Sequence, residues 1–124
     1  MKKRERNSFL TPLVVEVMPS GKRFKLHHEF TYHWGVARIT VPVGFETDFA
    51  SIPRIFRIII PKLGRWNKAA VLHDYAYQTQ TMTRKQADDL FRDSMKGLGV
   101  LAWKINIMYW AVRIGGWMAW RGRK

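Results

Sequence analysis

The sequence predicts an α+β fold: an N-terminal antiparallel β-meander, an ordered loop, and a bundle of about three α-helices. Two patterns carry that expectation. Residues 24–34 alternate between apolar and polar with a period of two, whereas residues 67–120 repeat apolar positions every three or four residues. Between them lies a segment rich in Gly, Thr, Asp, Ser and Pro that has neither period.

With 124 residues the chain suits a single domain with its own core, here expected over residues 8–120. Hydrophobic residues make up 47% and aromatic residues 14%, which excludes a disordered basic chain. No cysteine is present, so disulfides and thiolate metal sites are excluded, and the composition fits a reducing cytoplasm. Lys and Arg number 22 against 9 Asp and Glu, a net charge of +13. Such a field attracts an anionic surface: lipid, nucleic acid or an acidic protein.

Residues 1–7 are a charge run, Met1-Lys2-Lys3-Arg4-Glu5-Arg6, with no long apolar stretch behind it, and read as a solvated basic arm rather than a signal peptide. The β-meander follows over residues 8–43. Leu13 to Met18 is a β-branched run, and Pro19-Ser20-Gly21-Lys22 is a turn. Phe24, Leu26, His28, Phe30, Tyr32 and Trp34 then fall on one face, with Lys25, His27, Glu29, Thr31 and His33 on the other. This alternation makes His28 a hydrogen-bonded structural histidine and leaves His27 and His33 solvated. Gly35 breaks the run, and Val36 to Val43 forms a third strand that Pro42 marks as an edge or an end.

Residues 44–66 form the motif loop. It contains Thr47, Asp48, Ser51 and Arg54, and continues through Ile55–Ile60 to the break at Pro61-Lys62-Leu63-Gly64. Ala69, Ala70, Leu72, His73, Ala76 and Tyr77 give the first helix its buried stripe. Thr83-Arg84-Lys85-Gln86 has the form of a capping box, and the helix it opens buries Ala87, Leu90, Phe91 and Met95 before Gly97 and Gly99 end it. Residues 100–120 carry two apolar stripes. One is Trp103, Ile107, Trp110, Ile114 and Trp117; the other includes Ala102, Ile105, Tyr109 and Val112. A core helix, an interfacial or self-associating helix and a membrane span all fit that pattern. Lys104, Asn106 and Arg113 weigh against the span, since central charges cost ~2.5–3.5 kcal/mol each in lipid. Residues 121–124 read as a basic tail.

The candidate chemistry lies in His73, Asp74, Asp88 and Asp48. Neighbours in a helix point about 100° apart, so His73 and Asp74 face different partners. If the first two helices pack antiparallel, His73 meets Asp88 or Asp89. A carboxylate bonded to one imidazole nitrogen fixes the tautomer and leaves the other nitrogen to act as a base. Asp74, with Asp48, would then hold a divalent cation, and calcium suits such oxygen donors better than zinc does. The competing reading is a structural network in which Asp74 pairs with Arg54, Arg65 or Arg84 and Asp48 caps its own loop. Ser51 lacks the strand-turn-helix setting of a nucleophile elbow.

From Thr47-Asp48-Phe49-Ala50-Ser51-Ile52-Pro53-Arg54, through Ala69-Ala70-Val71-Leu72-His73-Asp74-Tyr75-Ala76-Tyr77, to Arg84, Ala87-Asp88, Phe91 and Met108-Tyr109, the chain resembles the domain of unknown function 1353 family. The resemblance runs from about Gly44 to Gly116. It implies a bacteriophage origin, synthesis in the bacterial host cytoplasm, and location in the virion or at a membrane surface. More locally, His73-Asp74-x-x-Tyr77 followed by a helix bearing Asp88 is similar to the core of phospholipase A2 enzymes. That similarity implies His73 as base, Asp88 as its orienting partner, Asp74 as a calcium ligand and Tyr77 in support. The glycine-rich calcium loop and the disulfides of those enzymes are missing.

The expected function is therefore a phage-encoded, hydrolase-like protein acting on a cell-envelope ester or amide. The alternatives are a non-enzymatic virion or assembly component, self-associating through residues 100–120, and a host-directed inhibitor.

Overall fold

The computed structural model describes residues 7–48 and 66–122, and the chain divides into two compact units, Met1–Asp48 and Phe49–Lys124. The first carries six short strands: β1 (Ser8–Phe9), β2 (Val15–Val17), β3 (Phe24–Leu26), β4 (Phe30–Trp34), β5 (Ala37–Val41) and β6 (Glu46–Thr47). The second carries α1 (Asn67–Thr79), α2 (Arg84–Gly97), α3 (Ala102–Gly115) and α4 (Trp117–Gly122). The order is the α+β order that the sequence predicts.

The strands form two antiparallel sheets, β1-β4-β5 and β2-β3-β6, instead of one meander. The alternation over 24–34 breaks at His27–Glu29, where the chain leaves one sheet and enters the other. Thr11 holds that bend: its hydroxyl donates to Glu29 O at 3.3 Å and accepts from Thr31 N at 3.0 Å. His28 sits in the bend and is exposed, so the structural role expected for it is not there. His27 is exposed as expected, with Nε2 2.7 Å from Glu16 Oε1, while His33 is half-buried and accepts from Arg38 Nε at 3.2 Å.

The hairpin of β4 and β5 has a buried aromatic-aliphatic face. Phe30 and Tyr32 are buried opposite Val41 and Ile39, and Phe9 lays its ring against both aromatics at centroid distances of 5.5 and 4.5 Å. Gly35 turns the β4–β5 hairpin with φ 62°, the sign that a type II′ turn requires at its first position. Pro42 follows the last residue of β5, an edge strand, as expected. Glu46 and Thr47 pair with Lys25 and Phe24, a strand too short to show a period in sequence. Asn7, assigned from sequence to the solvated arm, accepts from Gly35 N at 2.7 Å.

In the helical unit, α1 ends at Gln80, whose φ of 51° and ψ of 39° turn the chain in the left-handed region. Thr83 then opens α2 with the expected capping box: Thr83 Oγ1 accepts from Gln86 N at 3.1 Å, and Gln86 Oε1 accepts from Thr83 N at 2.9 Å. The connection Gln80–Thr83 is too short for anything but an antiparallel hairpin of helices. Trp66, Ala69 and Ala70 pack with Phe91 and Met95 of α2 and with Ile105, Met108 and Val112 of α3. Each large apolar side chain buried there contributes about 1.5–3 kcal/mol.

Of the two stripes of residues 100–120, one has Ile105 and Val112 buried, Tyr109 half-buried and Ala102 exposed, and the one containing Trp103, Trp110 and Ile114 is exposed. The segment is thus a core helix on one face only. No helix among the described residues is long and apolar enough to cross a membrane. Arg121, placed from sequence in a tail, belongs to α4.

Candidate functional site

The antiparallel packing of α1 on α2 brings His73 to Asp88. His73 Nε2 lies 2.7 Å from Asp88 Oδ1, and neither side chain has exposed surface. Tyr77, one turn further along α1, donates its hydroxyl to the same oxygen at 2.7 Å. The imidazole is fixed in plane as well: its ring stands 4.2 Å from that of Tyr77 and 4.7 Å from that of Phe91. Ala87, beside Asp88, is fully buried and small enough for the helices to approach.

The second carboxylate oxygen faces two guanidinium groups. Arg113 Nη1 of α3 donates to Asp88 Oδ2 at 2.8 Å, and Arg84 Nη1 lies 3.5 Å away. Arg84 also donates to Val112 O at 3.0 Å, which accepts from Gly116 N as well, and to Arg113 O at 3.1 Å, so a cation sits against the carbonyl end of α3. Burial pushes the Asp88 carboxyl up, but the hydrogen bonds from His73, Tyr77 and Arg113, with the charge of His73, outweigh it and hold the group below its usual range. An ionised carboxylate only accepts, so Nε2 of His73 is the nitrogen that donates to it. Burial and the Asp88 charge push the Tyr77 hydroxyl well above its ordinary value, so Tyr77 stays a donor.

The family model for "Protein of unknown function (DUF1353)" matches residues 24–112. The chain belongs to this family. A relative, "Uncharacterized protein y4jT" of Sinorhizobium fredii (strain NBRC 101917 / NGR234), is 42% identical over 78 residues. That stretch is 61% of this chain and 23% of the relative, so the chain spans under a quarter of the protein it matches. No solved structure matches the chain. The DUF1353 match begins at β3, earlier than the motif loop where the resemblance in sequence starts, and takes in His73, Asp74, Tyr77, Arg84 and Asp88.

The remaining sequence candidates of this DUF1353 chain lie as follows. Asp74 is fully buried, and its Oδ2 accepts from Gln78 Nε2 at 3.2 Å. Asp48 closes the N-terminal unit, with Oδ2 3.9 Å from Arg23 Nη1, and Thr47 is buried in β6. Ser51, Arg54 and Arg65 lie outside the described residues. Asp89, the alternative partner for His73, turns instead to Lys85 at 2.9 Å and to the Tyr109 hydroxyl at 2.8 Å. Calcium takes about six to eight oxygens. Among the described residues no three His, Cys, Asp or Glu side chains converge to begin such a shell.

Arg113 is a site residue to which sequence reading assigned no role at the site. Its signal is visible afterwards. It follows the core residue Val112 on a helix that contains no carboxylate, so its partner had to come from another element.

Proposed function

We propose that His73 and Asp88 form the catalytic pair of a hydrolase acting on an ester or amide, the cell envelope being the expected source of substrate. The observation that carries this reading is the 2.7 Å contact between His73 Nε2 and an ionised, buried Asp88, which the Tyr77 hydroxyl braces. It sets the tautomer that base catalysis needs, and it agrees with the roles implied by the phospholipase A2 resemblance.

In this reaction Nδ1 of His73 takes a proton from water as the water oxygen attacks the substrate carbonyl carbon. The resulting imidazolium is stabilised through Nε2–H by Asp88. The tetrahedral intermediate then collapses, its C–O or C–N bond breaks, and Nδ1 returns the proton to the leaving oxygen or nitrogen. His73 and Asp74 have no exposed surface, so turnover requires a movement that opens Nδ1 to water and substrate.

His73→Gln tests this reading, because the Gln amide still donates to Asp88 but contains no base. Assayed on phospholipid esters and peptidoglycan amides, the wild type hydrolyses one class, and His73→Gln loses roughly 10²–10⁴-fold while keeping its melting temperature within a few degrees. A folded His73→Gln with full activity would rule the reading out. Calcium titration against Asp74→Asn, read by melting temperature, tests whether Asp74 holds a cation.

A second reading has a specific observation behind it. Asp88 accepts from four side chains on three helices and is sealed from solvent, as a purely structural clamp would be. In a non-enzymatic phage virion or assembly component, the wild type hydrolyses neither class, and loss of Asp88 abolishes assembly together with folding.

A further inference from the structure

We propose that the exposed face of α3 and α4 is a docking surface for an anionic lipid bilayer. Trp103, Ile107, Trp110 and Ile114 lie within an arc of about 60° at ~100° per residue. They stand opposite the buried Ile105, Met108 and Val112. Ile114 is 73% exposed, Trp110 59%, Trp103 54% and Ile107 37%. Trp117 and Met118 continue the apolar surface onto α4. A contiguous patch of this kind in water marks an interaction site.

Charge identifies the occupant. Residues 101–122 contain no Asp or Glu. Lys104 places its ammonium 5.6 Å from the Trp103 ring centroid, and Arg121 its guanidinium 5.4 Å from that of Trp117, so cations flank the stripe near both ends. A second copy packed on this face would set cations against a helix with no carboxylate, on two chains that each carry +13. Nucleic acid would meet the cations and the indole rings but leave Ile107 and Ile114 without a partner. An anionic bilayer matches all three features. Acyl chains take the isoleucines, the interfacial layer takes the indoles, and phosphate headgroups take the cations.

This inference stands whether or not His73 is a base, and its test reads binding alone. Wild type and Trp110→Ser/Ile114→Ser are sedimented with vesicles of phosphatidylglycerol and phosphatidylcholine, and with vesicles of phosphatidylcholine alone. Circular dichroism checks that the variant is folded, as expected for two exposed positions. The expected result is binding of the wild type to the anionic vesicles with a blue shift of Trp emission. Binding is about tenfold weaker to phosphatidylcholine and about tenfold weaker again for the folded variant. The proposal is overturned if the wild type ignores anionic vesicles, or if the variant binds them as well as the wild type does. It is equally overturned if the wild type is a dimer that the variant splits, which would make a second copy the occupant.

Discussion

Gly116 lies directly under Tyr77: a Cβ at position 116 would stand 2.5 Å from the Tyr77 hydroxyl and 2.4 Å from Val112 O. The absent methyl group is what lets the hydroxyl reach Asp88. Gly116→Ala is expected to destabilise the domain by about 1–3 kcal/mol through overpacking. Tyr77→Phe removes one donor from Asp88 and costs about 1 kcal/mol. Because the hydroxyl is the shared obstacle, the double variant is expected to lose less than the sum of the two, and urea unfolding of all four proteins measures the difference.

Asp88→Asn keeps the shape of the side chain and removes its charge, leaving the guanidinium groups of Arg84 and Arg113 facing a neutral amide. Breaking a buried ion pair from one side costs roughly 3–5 kcal/mol. Both arginines retain about a quarter of their side-chain exposure, so the lower end of that range is expected. The midpoint of urea denaturation, with the slope unchanged, checks it.

Stability is expected to fall at both pH extremes, for separate reasons. The folded Asp88 carboxyl is held low, so its contribution is complete above its unfolded pKa of about 3.9 and is lost as pH drops through the folded value. The folded Tyr77 hydroxyl is raised, chiefly by burial, so its contribution is complete below about pH 10 and is lost as pH climbs above that. Melting temperatures across the range should show a shallower acid limb in Asp88→Asn and a shallower alkaline limb in Tyr77→Phe.

Thr83→Ala removes the hydroxyl that accepts from Gln86 N, while the Gln86 side chain can still accept from the backbone N–H of residue 83, so half of the reciprocal cap is lost. A loss of about 1 kcal/mol in thermal or urea unfolding is expected, with the fold unchanged.

Local signals in the sequence were strong where one element decides its own form. The capping box at Thr83, the stripe of α2, the glycine turn at Gly35 and the end of β5 at Pro42 all follow from neighbours in the chain. The approach of His73 to Asp88 or Asp89 also followed, because a short connection leaves two helices few ways to pack, and packing selects Asp88. Sequence reading failed where a distant residue decides. The bend at His27–Glu29 is imposed by Thr11, from an earlier segment, and so the clean alternation over 24–34 concealed a change of sheet. The choice between the two stripes of α3 was equally hidden, since both are apolar and only packing against α1 and α2 separates them. Arg113 escaped notice because its partner lies 25 residues away on another helix.

The contacts of Arg84 and Arg113 with Asp88 make the site a gauge of helix register. Arg84 of α2 binds backbone carbonyls of α3, and any neighbouring pair of carbonyls would serve it almost as well. Arg113 is less tolerant. Sliding α3 by one residue shifts that side chain by about 1.5 Å and turns it by about 100°, away from Asp88. Apolar side chains alone would penalise such a slip weakly, because Ile105, Met108 and Val112 sit among other apolar residues on the same helix. The buried carboxylate penalises it strongly, since in the slipped arrangement it forfeits its nearer cation. Asp88 therefore acts as a checkpoint on assembly of the helical unit: the carboxylate beside His73 collects all its donors only when the three helices are in their proper places.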